Sequence, residues 1–421
     1  MDKVRTLCNK FPGYSLESNR EISAATTTVM MKRSQRHALL LGAVFLSLAP
    51  LSEGSETGSW NALRGPAGDG RAEGSLLVKT TDVRLEIVWK QPIGSASSSV
   101  SVEGGRAVTM FDQGDTGYLA CFDVDSGEIL WKIPTGPATA GANGAFDGAI
   151  STPCIHGGRV FSLTPQGVLS AVSIETGERA WQVDLVKDLG ATPSLYGFGA
   201  SPMVYGDELL LMVGPPVGTI AAFSLETGEL LWGVGEDVAN YQHPIVVDHS
   251  GVPTLVVAGE TEVTGVDLSS GESAWSFAHE GRGARGAWST VPVALPGDRV
   301  FLAYDDLFSK VVSLAGSASG GAGEVVWEGR SIRNSYNVPV LVGANLYAYS
   351  SRAFGCVDSE TGELLWRSAN PGDGFLSAVD GHLVMLTKRG TLHLAEASSD
   401  DYRGLASVEL FADPSWCVPA V

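Results

Sequence analysis

Cationic and metal-ligating side chains are scarce in this sequence. Lys and Arg number 28 against 47 Asp and Glu, a formal charge of −19 at pH 7. So acidic a balance opposes the counterion release that drives binding to phosphate backbones, and no nucleic-acid partner is expected. The five Cys (Cys8, Cys121, Cys154, Cys356, Cys417) are widely spaced with no C-x-x-C pair, and the seven His show no H-x-x-x-H. No metal is expected from such a pattern. Cys121, Cys154 and Cys356 sit in apolar alternating stretches and read as small buried thiols. No Ser/His/Asp order, glycine-rich phosphate loop or carboxylate pair stands at an informative spacing, so the reading leans away from an enzyme and assigns no catalytic residue. A helix-length amphipathic run is also missing after residue 55. What is abundant is glycine (52) and tryptophan (ten) in a chain of 421 residues that is 44% hydrophobic, a globular composition rich in turns.

The amino-terminal region has the pattern of an export signal. Lys32, Arg33 and Arg36 precede a mostly apolar stretch over residues 38–51, followed by small and polar residues. Fourteen residues at a 1.5 Å rise reach about 21 Å, short of the roughly 30 Å hydrocarbon core, so a cleaved signal over residues 31–55 is favoured over an uncleaved anchor or a buried helix. No stable membrane span is expected. Residues 1–30 precede Met31 as a polar stretch without period and read as a start assigned too early, or as disorder. Residues 56–84 form an extended segment ahead of the repeats.

Self-similarity dominates the rest of the chain. The pentad G-E-x-x-W recurs six times, ending in Trp131, Trp181, Trp232, Trp275, Trp327 and Trp366, with Ser or Thr before the glycine in five copies. Apolar strand-like residues flank each copy, which is hairpin chemistry: glycine takes positive φ and the hydroxyl bonds nearby backbone. A second element recurs out of phase, a Pro leading an apolar strand, at Pro153, Pro202, Pro244, Pro292, Pro339 and Pro419, with Val100 and Ser377 at the equivalent places of two more copies. Four short strands per unit, stacked radially, predict an all-β fold, a β-propeller whose recurring Trp fills the wedge between neighbouring blades. Counting predicts eight blades with the last incomplete. Trp89 reads as a fourth strand whose first three are missing ahead of it, and residues from Trp416 onward as a lone first strand. Such a blade implies either a sequence short by roughly 25 residues or an irregular closure.

The unit D-x-x-(S/T)-G-x-x-x-W, at Asp123 to Trp131, Asp267 to Trp275 and Asp358 to Trp366, resembles the pyrroloquinoline-quinone-type propeller repeat over about residues 85–421. The lead-in from Trp60 through Arg64, Gly65 and Pro66 to Asp69 and Gly70 is similar to the W-x-x-(F/L)RGP-x-x-DG segment of exported bacterial proteins with this propeller. The resemblance implies a fold more firmly than an activity. Quinoprotein dehydrogenases of this kind carry an adjacent-cysteine disulfide and Ca²⁺ ligands, and no Cys-Cys pair exists here. Other relatives are non-catalytic scaffolds of outer-membrane assembly.

In a propeller, the segment entering each first strand crowds the mouth of the central channel. The polar and aromatic residues there are Asp147, Tyr196, Tyr241, Gln242, His243, Arg285, Trp288, Asn334, Tyr336, Asn337 and Trp416. Two of these connections, Trp131 to Pro153 and Trp181 to Pro202, are long, and long loops carry specificity. The expectation is an exported, periplasmic or secreted, monomeric scaffold that binds a protein, peptide or glycan on this face without a cofactor. The alternative is a divergent oxidoreductase holding pyrroloquinoline quinone and Ca²⁺ in the channel.

Overall fold

The computed structural model describes residues 59–72, 83–141, 148–238, 241, 243–278, 292–303, 308–316, 323–333, 337–350, 353–412 and 415–421. The export-signal reading of residues 31–55 and the early-start reading of residues 1–30 lie outside them. Seven units of four antiparallel strands follow one another along the chain, over residues 101–137, 154–184, 203–234, 245–278, 293–329, 340–368 and 374–409, here blades 1 to 7, the last joined by the short parallel strand Arg71–Ala72 as a fifth. The fold is a β-propeller, and no helix occurs among the described residues.

Each third-to-fourth-strand turn shows why the repeat folds as it does. In blade 1, Asp123 Oδ1 accepts from the backbone N–H and hydroxyl of Ser126, and Gly127 N–H donates to the Asp123 carbonyl at a φ of +73°. The same arrangement returns at Asp358 with Thr361. These bonds favour the charged carboxylate, so Asp123, with the Ser126 hydroxyl as the main cause, is held below the usual range. Past the turn, the pairing slips by one residue just before the Trp in every blade that carries one, and at the same place in blade 7, a bulge that twists the outer edge strand.

The core lies between blades, because the middle strands are apolar on both faces. Val108, Met110, Leu119 and Trp131 of blade 1 pack with Ile155, Val160 and Val172 of blade 2. Phe301 and Val311 of blade 5 meet Leu346 and Val357 of blade 6 in the same manner. The Trp of one blade lies over the turn glycine of the next, where any Cβ would collide: Trp131 over Gly177, Trp181 over Gly228, Trp232 over Gly271 and Trp327 over Gly362.

The eighth position is held by two extended segments that do not pair with each other. Trp89 sits over Gly127 and its indole donates to the Val124 carbonyl at 2.7 Å, the arrangement of a preceding blade's fourth strand. On the inner side, Val418 N–H donates to Ser99 Oγ and Ser377 Oγ to the Pro419 carbonyl. Blade 2 has the counterparts of both, Thr152 N–H to Ser201 Oγ and Ser101 Oγ to the Pro153 carbonyl. The incomplete eighth blade thus keeps the register of the ring with its innermost and outermost segments alone. Val83, Leu85, Phe411 and Val421 cover the outward face of blade 7, and Ile93 and Ala96 cover that of blade 1.

Candidate functional site

The centre of the ring is filled by the chain itself. The strap over residues 59–72 runs along the first strands, which line the channel. Trp60 exchanges backbone bonds with Val102 of blade 1, and the Asn61 carbonyl accepts from Ile155 N–H of blade 2 at 2.7 Å. The strand Arg71–Ala72 pairs in parallel with Ala378 and Val379 of blade 7. Trp60 is 1% exposed.

Arg64 anchors this strap. It is 2% exposed, and its guanidinium donates to carbonyls: Gly68 (3.1 Å) and Asp69 (2.9 Å) within the strap, and Val338 (3.3 Å) and Pro339 (2.9 Å) at the entrance to blade 6. Burial lowers its pKa to about 10, with Asp69 acting in the opposite sense, and the group remains a cation at neutral pH. The Asp69 carboxylate is itself engaged by the Arg71 backbone and guanidinium. The strap folds back on itself through left-handed backbone at Arg64 (φ +64°), Gly65 (+80°), Gly68 (+68°) and Gly70 (+79°), and of these only Arg64 carries a side chain. That strained residue is the one whose side chain makes four bonds.

The predicted mouth residues fall into three places. Asp147, Gln242, Arg285, Trp288, Asn334 and Tyr336 lie outside the described residues. Tyr196 and Tyr241 meet at the entrances to blades 3 and 4: the Tyr241 hydroxyl oxygen accepts from Tyr196 N–H at 2.6 Å, with ring centroids 5.8 Å apart. Burial raises the Tyr241 pKa to about 12, so this hydroxyl stays neutral. Asn337 is fully buried, and its amide donates to Asp373 at 3.1 Å. Asp373 pairs with Lys388 at 2.7 Å, and the Lys388 ammonium stands 4.0 Å from the centroid of the Trp416 ring. Asn337 and Trp416 are therefore joined through an Asp373 and Lys388 pair that sequence reading did not single out.

His243 belongs to neither group. It is 1% exposed, its imidazole lies against Gly68 of the strap, and neither ring nitrogen has a hydrogen-bond partner of good geometry among the described residues. Burial first and the Arg64 charge second push its pKa down to about 4, against a smaller opposing pull from the Pro244 backbone. It borders a cavity of about 40 Å³, shared with Asn61, Gly68, Cys154, His156 and Met203. Asn61 Oδ1, buried, also has no partner among the described residues. Burial raises the Cys154 thiol to about 12, which makes it inert.

The described part of the channel does not fit a fused-ring quinone. Trp60 and Arg64 are packed into it, and the cavity beside His243 is far below the roughly 300 Å³ of an ordinary cofactor pocket. Among the described residues, no three His, Cys, Asp or Glu side chains are grouped to hold a metal ion. What the described mouth offers instead is the part-exposed rings of Tyr196, Tyr241 and Trp416 and a paired ammonium, groups suited to holding a polypeptide.

This architecture defines a quinoprotein-type repeat propeller with its channel closed by its own lead-in segment. Residues 77–234 and 188–402 match the family model described as outer membrane protein assembly factor BamB, and the chain belongs to that family. It is 24% identical over 323 residues to the outer membrane protein assembly factor BamB of Burkholderia pseudomallei, covering 73% of this chain and 75% of that protein. A tetrathionate hydrolase of Acidithiobacillus ferrooxidans is 30% identical over 159 residues, and the match spans 34% of this chain and 30% of the hydrolase. Among solved structures, BamB from Moraxella catarrhalis is similar with a TM-score of 0.55 at 18% identity, covering 72% of this chain and 86% of that one. The quinohemoprotein alcohol dehydrogenase ADHIIG from Pseudomonas putida HK5 follows with a TM-score of 0.52 at 15% identity, covering 74% and 66%. At these identities the two structures speak for the fold alone.

Proposed function

We propose that this protein is an exported scaffold that holds a protein partner of outer-membrane assembly on the face where the strands enter the channel. The observation that carries the reading is the filled channel: Trp60 and Arg64 are buried in its described part, while the described entrance residues Tyr196, Tyr241 and Trp416 keep aromatic rings part-exposed. The family match supports a protein partner over a glycan. No helix among the described residues is long and apolar enough to cross a membrane.

Successive antiparallel strands put the Tyr196, Tyr241 and Trp416 entrances on one face and the Asp123-type turns on the opposite one. A photo-reactive side chain at Tyr196 or Trp416 is expected to crosslink a partner protein in cells, and the same group at Glu226, on a turn of the other face, is not. Crosslinks confined to Glu226 would overturn the choice of face. Dye-linked alcohol oxidation after addition of pyrroloquinoline quinone and Ca²⁺ would overturn the scaffold reading itself.

A further inference from the structure

The strap is held in the channel by contacts that leave one charge and one neutral base close together, both buried. We infer that the strap is an acid-released latch, in which protonation of His243 expels residues 59–72 from the channel and opens the inner strand edges that they cover.

The geometry sets this up in three ways. First, the strap's polar hold on the ring is short, backbone bonds from Trp60, Asn61 and Gly70, the two-residue strand Arg71–Ala72, and the Arg64 guanidinium on Val338 and Pro339, with the buried side chains of Trp60 and Ala62 beside them. Second, the strap closes directly on His243. A Cβ on Gly68 would stand 2.9 Å from the imidazole Cε1, so no side chain fits between them. Third, the described surroundings hold no free carboxylate to receive a second positive charge. Arg64 already faces His243, and the carboxylate on the strap, Asp69, is bound to Arg71. Across the cavity stand Cys154, a neutral thiol, together with His156 and the apolar Met203. Tyr241, two residues earlier, is a neutral phenol turned to Tyr196. An imidazolium here is buried beside a cation and, among the described residues, without a counter-charge, which the protein relieves by undocking the strap and hydrating both groups.

The sign follows from linkage. With the strap docked, His243 binds its proton only near pH 4, and once exposed it does so near its ordinary 6.5. Docking is therefore at full strength above about pH 6.5, weakens as the pH falls, and levels off below about 4. A difference of that size between the two states corresponds to a change in the docked-to-undocked ratio of up to about 300-fold.

Amide hydrogen exchange on the full chain reads this directly. Protection factors, corrected for the intrinsic pH dependence of exchange, are measured for residues 59–72 and for the strands Arg159–Leu163 and Glu208–Gly214 at about pH 7.5 and about pH 4.5, on either side of the ordinary histidine value. The strap is expected to lose protection by one to two powers of ten while both blade strands keep theirs, and His243→Gln is expected to flatten that loss. Equal strap protection at both pH values, a loss shared by the blade strands, or an undiminished loss in His243→Gln would overturn the latch. Should that variant fail to fold, the wild-type imidazole resonance serves instead: titration near pH 6.5 with the strap still protected would overturn it equally. A failed latch leaves the scaffold reading standing, since the crosslinking experiment does not depend on it.

Discussion

The junctions between blades 1, 2 and 3 differ from those around blade 4, although the same pentad marks both. In the regular junctions the indole N–H crosses to a carbonyl of the next turn: Trp131 to Ile174 at 2.7 Å, Trp181 to Leu225 at 2.9 Å, and again Trp327 to Ser359 at 3.0 Å. An Arg opening the second strand reinforces them by pairing with the Glu of the next turn, as Arg106 does with Glu175 and Arg159 with Glu226 at 2.6 Å. Blade 3 has Glu208 in place of that Arg, and its carboxylate captures the Trp232 indole at 3.1 Å within the same blade. In blade 4 the ring leaves the next turn's glycine while staying in the apolar layer between blades 4 and 5. Trp275 folds onto Gly265 of its own sheet and stacks on Phe277, its N–H without a partner among the described residues, and the Gly323 turn meets Phe277 instead. A His249 to Asp298 contact of 2.7 Å then joins blades 4 and 5. The repeat therefore specifies a Trp beside a glycine, and the neighbouring residues decide which glycine.

Substitutions can break this contrast. Trp181→Ala, which empties the wedge between blades 2 and 3, is expected to cost about 3–5 kcal/mol in urea denaturation. Gly228→Ala forces a Cβ to 2.5 Å from the Trp181 ring at a φ of +74°, and should cost about 2–3 kcal/mol. The sharpest comparison is Trp to Phe. Trp181→Phe removes one of the two donors to the Leu225 carbonyl, Arg159 keeping the other at 2.8 Å, and is expected to lose about 1 kcal/mol, whereas Trp275→Phe removes an N–H without a partner among the described residues and should be close to neutral. Equal losses at the two positions would show that the indole bond does not distinguish the junctions. A small effect is also expected for Arg159→Ala, about 1 kcal/mol or less, because Glu226 is largely solvated and the Leu225 carbonyl keeps the Trp181 indole as donor.

Much of this was legible from residue order. The Asp-x-x-Ser-Gly turn at Asp123, the apolar run of strands such as Arg159–Leu163, and the eighth-blade remnants at Trp89 and Pro419 are readable because each depends on a neighbour within a few residues or on a repeat in register. The candidate site was legible in outline only. Tyr196 and Tyr241 come together as two entrances of adjacent blades, but Asn337 reaches Trp416 through Asp373 and Lys388, whose positions carry no motif. Arg64 was visible within its lead-in motif, yet nothing local marks it as a buried anchor.

The sequence alone determined a ring of four-stranded units, because turn chemistry and strand period act over a few residues and repeat with the chain. Only the tertiary structure decided what fills the middle of that ring. Arg64 reaches carbonyls more than 270 positions away at Val338 and Pro339, and Gly68 closes on His243 from a different part of the chain. Contacts of that separation depend on ring closure, which brings the first strands around one axis and buries what the chain lays between them.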